Sequence, residues 1–208
     1  MLISTYDIIN WLALPEGDRE PNAKLEAIAK AVQEFCCSVT GRQLEAKHYS
    51  TDPEHCYLDG KGERYLYLPQ YPVSYIASIN VDNERVFAAS TLIDSSDYVY
   101  YSSGKVYNDY GRFYKGRRNI LVDYIAGYAP VVGGTCNSAV STYPIPSDLK
   151  QVMIEMTAEA FKEGLTAVHS IAGNEAQPGR FVNMMRNKSF WSQVLNFHSN
   201  YATQTLDE

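Results

Sequence analysis

The chain predicts an α+β fold. Apolar residues recur at three-and-four spacing over two long stretches, the period drops to two between them, and the connections in that middle region are too short for helical crossovers. The expected architecture is a small helical bundle of two long helices and a short N-terminal helix. A central set of short antiparallel strands and hairpins, and a C-terminal helical arm, complete it.

Ser4 and Asp7 read as an N-cap and a first-turn acid, so Ile8, Ile9, Trp11 and Leu12 make a short amphipathic helix within 4–14, ended near Pro15. Leu25, Ile28, Ala29, Val32, Phe35, Cys36 and Val39 lie on one helical face. Gly41 is placed to end this helix, 22–41, after about five turns. Strands are expected within 57–128: Tyr65 to Leu68, then Tyr75, Ala77, Ile79 and Val81 alternating with Ile76, Ser78 and Asn80. Further strand signals run from Tyr98 to Tyr101, Lys105 to Tyr107 and Asn119 to Ile125, separated by Ser102-Ser103-Gly104 and by 111–116. Pro146-Ser147-Asp148 opens the second long helix, 147–163, with Leu149, Val152, Met153, Met156, Ala160 and Phe161 as its stripe and Gly164 as its stop. Residues 1–164 then form one domain, 165–179 a linker and 180–208 a terminal arm.

Of the 208 residues, 45% are hydrophobic and 20% charged, enough to bury a core and too apolar for disorder. The net charge of −6 divides as −4 over 1–58, zero over 59–128 and −2 over 129–208. That balance argues against a protein whose main task is gripping nucleic acid. The start lacks the basic flank and cleavage site of a signal peptide, and the uncharged stretch 124–147 is broken by Gly and Pro, so no membrane association is expected. Cys36, Cys37, Cys56 and Cys136 lack metal-type spacing, and Cys36 and Cys37, adjacent in a helical pattern, read as reduced small core residues. Tyrosine is in surplus: of 17, 15 lie between Tyr49 and Tyr143, where each strand can turn one inward and the next outward.

Five constellations could carry chemistry or contact. His48, Asp52, His55 and Cys56 include metal-ligand side chains, but their spacing fits no zinc motif and a polar loop is preferred. Gly60-Lys61-Gly62 leads into a strand and not a helix, so it reads as a turn and not a phosphate loop. Residues 133–138 hold candidate nucleophiles in a Gly-rich loop, with no acid visibly paired to His169 or His198 as a base. Arg112, Lys115, Arg117 and Arg118 form the dense basic cluster on an expected hairpin tip, interleaved with Phe113 and Tyr114, and suit phosphates or an acidic partner. Finally Phe181, Met184, Met185, Phe190, Trp191, Val194, Leu195 and Phe197 make an apolar stripe at the C-terminus, either a third core helix or a docking arm.

In order, these elements resemble the head-tail connector (head-completion adaptor) family of tailed bacteriophages. The signatures are the opening helices ending Val39-Thr40-Gly41-Arg42; Asp59-Gly60-Lys61-Gly62, Leu66, Leu68, Tyr71-Pro72-Val73, Ile76 and Ile79; the strand from Asn119 to Tyr128; and Ile145-Pro146-Ser147-Asp148-Leu149. The resemblance covers about 2–163, and departs at 129–143 and after Gly164. It implies a structural virion protein at the head-tail junction, made in the host bacterial cytoplasm, without enzymatic activity, cofactor or metal. Copies would form a ring beneath the portal protein, extend the DNA channel and offer a platform to a tail-side head-completion or tail-terminator protein. DNA would pass without sequence-specific binding, the terminal stripe would dock into the portal, and Arg112, Lys115, Arg117 and Arg118 would face a partner or DNA. The readings set against it are a metal-dependent hydrolase using His48, Asp52, His55 and Cys56, and a Tyr-rich carbohydrate-binding module, which the two long helices disfavour.

Overall fold

The structure, a computed structural model, describes residues 1–13, 23–129, 143–162 and 189–199. The chain divides into two compact units, one helical and discontinuous in sequence, one built of strands from 45–129 with Tyr143. The expected linker, the Pro15 and Gly164 stops and most of the insert at 129–143 lie outside the described residues.

In the helical unit, α1 (Thr5–Leu12) starts with a capping box: the Ser4 hydroxyl accepts from Tyr6 N–H at 3.2 Å, and Asp7 accepts from Ser4 N–H at 3.2 Å. It ends earlier than the sequence suggests, because Ala13 adopts φ 50° and its N–H returns to Asn10 O. Helix α2 (Ala23–Thr40) ends as expected, with Gly41 at φ 70° and Arg42 N–H on Cys37 O. Helix α3 (Ser147–Lys162) buries its predicted stripe except Phe161, which is only half-buried, and buries Ile154, Thr157 and Ala158 as well, since α1, α2 and α4 (Ser189–Ser199) all pack against it. Cys36 is fully buried, and burial pushes its thiol up to about 12, which makes it inert at neutral pH.

The strand unit holds β1 (Lys47–Tyr49), β2 (Tyr57–Gly60), β3 (Tyr65–Tyr67), β4 (Val73–Val81), β5 (Tyr98–Tyr100), β6 (Lys105–Asn108) and β7 (Gly116–Ala126). Short hairpins describe only β5–β6, turned at Gly104 (φ 85°). The 11-residue β7 is instead a hub: β1, β2 and β4 all pair antiparallel with it from far away in sequence, while β3, β6 and β5 form a second sheet. Strand β1 lies outside the expected 57–128 window, in a segment read as polar loop; only its partner Tyr124 explains it, because Tyr49 stacks on that ring at 5.1 Å. The predicted alternation along β4 also fails. Register shifts at Val73/Tyr75 and Ile76/Ser78 put Val73, Ile76 and Ile79, three residues apart, all inside.

Both sheets share one core, in which Leu66, Val106 and Tyr98 of the smaller sheet join Ile79, Ile120 and Tyr124 of the larger. Burial holds the Tyr124 phenol above its usual range, and its hydroxyl donates to His55 O at 3.2 Å.

Candidate functional site

The basic segment does not sit on a hairpin tip, because β6 and β7 belong to different sheets and residues 109–115 cross between them. Phe113 turns into the core, 1% exposed, so it contributes no surface aromatic; Tyr114 and Tyr110 do, at 67% and 80%. Residues 61–64 run alongside: Gly62 N–H donates to Phe113 O, and Phe113 N–H to Glu63 O, both at 2.8 Å. Lys61 and Arg64 thereby join Arg112, Lys115 and Arg117 at one end of the unit, all exposed. Arg118 is exposed but engaged. Its guanidinium donates to Pro53 O and lies over the Tyr57 ring, and its N–H donates to Asp59 at 2.6 Å from a left-handed backbone (φ 49°).

Asn119, 1% exposed, fixes this end. Its Oδ1 accepts from Gly60 N–H, and its Nδ2 donates to Asn83 Oδ1 and to Tyr114 O, each at 2.9 Å. The packing demands glycine beside it: a Cβ at Gly60 would meet Tyr114 O at 1.8 Å, and one at Gly116 would meet the Asn119 amide at 2.5 Å. Next to it, Asp82 accepts from the N–H groups of Phe87, Glu84 and Val86, which hold its carboxyl below the usual range and stiffen the loop that carries exposed Val86.

The second surface is the outer face of the β3–β6–β5 sheet. Register places Tyr65, Tyr107 and Val99 in one row, and Tyr67 with Lys105 in the next. Tyr65 and Tyr67 meet edge to face at 5.6 Å, with Lys105 Nζ 5.7 Å over the Tyr65 ring. Tyrosines do not alternate within a strand as expected: Tyr65 and Tyr67, being two apart, share the outer face, as Tyr98 and Tyr100 share the opposite one.

The terminal stripe divides. Phe181, Met184 and Met185 lie outside the described residues. Trp191 and Leu195 are buried within the helical unit, where Trp191 Nε1 donates to Glu155 at 2.7 Å and His198 lies 3.0 Å from Asp148. Phe190 and Phe197, about half exposed, remain on the outer side of α4.

The four candidate metal ligands do not converge on one point. His48 Nε2 meets Asp123 Oδ1 at 2.5 Å, and His55 Nδ1 lies 3.0 Å from Asp52, whose carboxyl is lowered first by the Glu54 N–H and then by His55. Cys56 is buried in the core. Among the described residues no group of three or more His, Cys, Asp or Glu side chains is placed to hold a metal ion, and no helix is long and apolar enough to cross a membrane. Gly60 ends β2, and positive φ at Gly62 (82°) makes the turn that was expected there. The Gly-rich loop 133–138 and His169 are outside the described residues.

No family model matches the sequence, and no curated protein does. Solved structures do. A chain in the neck of an empty gene transfer agent particle, computed with C6 symmetry, superposes with a TM-score of 0.53 at 15% identity, over 77% of this chain and 78% of that one. The present chain shares its fold with that chain. Similar chains occur in the virion of a native gene transfer agent particle (14% identity, 77% and 78% covered, TM-score 0.49) and in the neck of a native particle computed with C12 symmetry (12%, 78% and 80%, 0.49). The contributions of Lys61, Arg64 and Asn119 to the basic end were not legible in the sequence. A shared Gly60, Gly116 and Asn119 knot leaves no spacing signal, because its members are 56 and 59 residues apart from Gly60.

Proposed function

We propose that the chain is a structural, non-enzymatic virion protein of the head-tail neck of a phage-like particle. Copies form a ring beneath the portal, extend the DNA channel and present a platform for a tail-side protein. The observation that carries this is the fold shared over 77% of the chain with a component of a symmetric neck. A ring needs a head-to-tail interface with two different patches on each subunit. The Tyr65, Tyr107 and Val99 face offers one of them, since aromatic side chains on a rigid sheet suit contact surfaces. Phe190 and Phe197 of α4 are the described part of the portal-docking stripe, while Trp191 and Leu195 anchor the helix from beneath. The −6 charge suits passage of DNA, which an acidic lining does not retain. Mixing the protein with portal particles and imaging the product tests this: a ring of density on the portal is expected, and its absence at saturating protein refutes the neck role. If deleting 174–208 leaves portal binding intact, docking does not use the terminal stripe.

A further inference from the structure

Within an acidic chain, one end of the strand unit is locally basic. Six of the 18 Lys and Arg stand in 59–64 and 109–118, against three acids. Two of those acids are engaged: Asp59 accepts the Arg118 N–H at 2.6 Å, and the Glu63 carboxylate accepts from the Tyr65 hydroxyl, raising that phenol. Of the exposed cations, Arg118 has its guanidinium engaged by Pro53 O and the Tyr57 ring, which leaves Lys61, Arg64, Arg112, Lys115 and Arg117 as the cluster. The Arg112 guanidinium rests on Gly62 O at 3.4 Å, and Arg64 O accepts from Asn108 N–H at 2.8 Å, so the two segments form one surface. Asn119 and the buried Phe113 hold its backbone in place before any partner arrives, which lowers the ordering cost of binding.

We infer that this end, through Lys61, Arg64, Arg112, Lys115 and Arg117, contacts the phosphate backbone of double-stranded DNA without reading its sequence. The core of a protein-protein site is depleted in charge, whereas this end presents five exposed cations and its one phenylalanine, Phe113, is buried, so charge and not apolar area is what it offers a partner. Phosphates ask only for exposed cations and hydrogen-bond donors, which Tyr110 and Tyr114, 80% and 67% exposed, supplement at the rim. An overall acidic subunit with one basic end would hold duplex weakly at that place and repel it elsewhere. Such contact does not depend on the neck role and can be tested on the full chain alone.

The test is fluorescence anisotropy of a labelled duplex of about 30 base pairs, its length chosen to exceed one contact surface. With three phosphates neutralised, affinity should fall about 40-fold between 50 and 200 mM salt. Changing Lys61→Glu, Arg112→Glu and Lys115→Glu together should abolish binding, and the corresponding Gln changes should weaken it and flatten the salt slope. Lys24→Glu, Lys30→Glu and Lys162→Glu in the helical unit change the charge equally and should leave affinity within about twofold, as expected for solvent-screened charges that do not belong to the cluster. No binding by the unmodified protein at 50 mM salt overturns the inference, as does equal loss in the helical-unit variant. Loss of portal association in the patch variants, with no DNA binding by the parent, would assign the cluster to an acidic protein instead. Failure to decorate portal particles while DNA binding persists would sink the neck role alone.

Discussion

Replacing Asn119 by alanine should destabilise the strand unit by about 2–4 kcal/mol. Three side-chain hydrogen bonds vanish, but they are not equal. Asn83 is exposed, so water replaces the amide there at little cost. Gly60 is buried, and its N–H loses its acceptor in a place no Cβ could enter, a loss of about 1–3 kcal/mol. The Tyr114 carbonyl, which crowds Gly60, loses its donor as well and adds about 1 kcal/mol. Asn119→Asp should be worse, because a carboxylate would sit where Nδ2 now lies 2.9 Å from two acceptor oxygens. Urea unfolding followed by tyrosine fluorescence would give the midpoint shift, and hydrogen exchange at Gly60 would place the opening. A change below about 0.5 kcal/mol in Asn119→Ala, or unaltered exchange at Gly60, would refute the idea that one amide pins these segments.

Trp191→Phe keeps the ring in the helical unit but removes the 2.7 Å bond to Glu155, and should cost about 1.5–3 kcal/mol in thermal unfolding followed by circular dichroism at helix wavelengths. Phe190→Ser with Phe197→Ser, on the outer side of the same helix, should change stability by about 1 kcal/mol or less and weaken portal association in pull-down. Because the Asp82 carboxyl is lowered by backbone donors, its contribution to loop order is complete above about pH 4 and fades as pH falls through its lowered value. Trypsin cleaves after Arg85, so Asp82→Ala should speed nicking there at neutral pH; an unchanged rate would show that the carboxylate does not hold the loop. Native-state labelling with a thiol reagent should spare buried Cys36 and Cys56 and, among the described cysteines, reach half-buried Cys37 first.

The helices were legible in the sequence because their information is local. Leu25, Ile28, Ala29 and Val32 declare a face, Ser4 and Asp7 a start, and Gly41 a stop, with no reference to distant residues. Strand positions on the smaller sheet were legible for the same reason, since Leu66 and Val106 alternate with their neighbours. Strand β1 was not, because three residues bearing Lys47 and His48 become a strand only by pairing with 124–126. Neither was the inward face of β4, because bulges set by β7 replace the period of two. The basic cluster at 112–118 showed its composition but not its shape. What the sequence by itself determined is an α+β chain with two long helices, a tyrosine-rich strand region and a local surplus of cations. Only the tertiary structure decided that Phe113 is buried and the Arg118 guanidinium tied to Pro53 and Tyr57, while Lys61 and Arg64 join the cluster. Side-chain direction there is set by pairing across 50 or more residues and by one buried amide, and neither leaves a periodic trace in the chain.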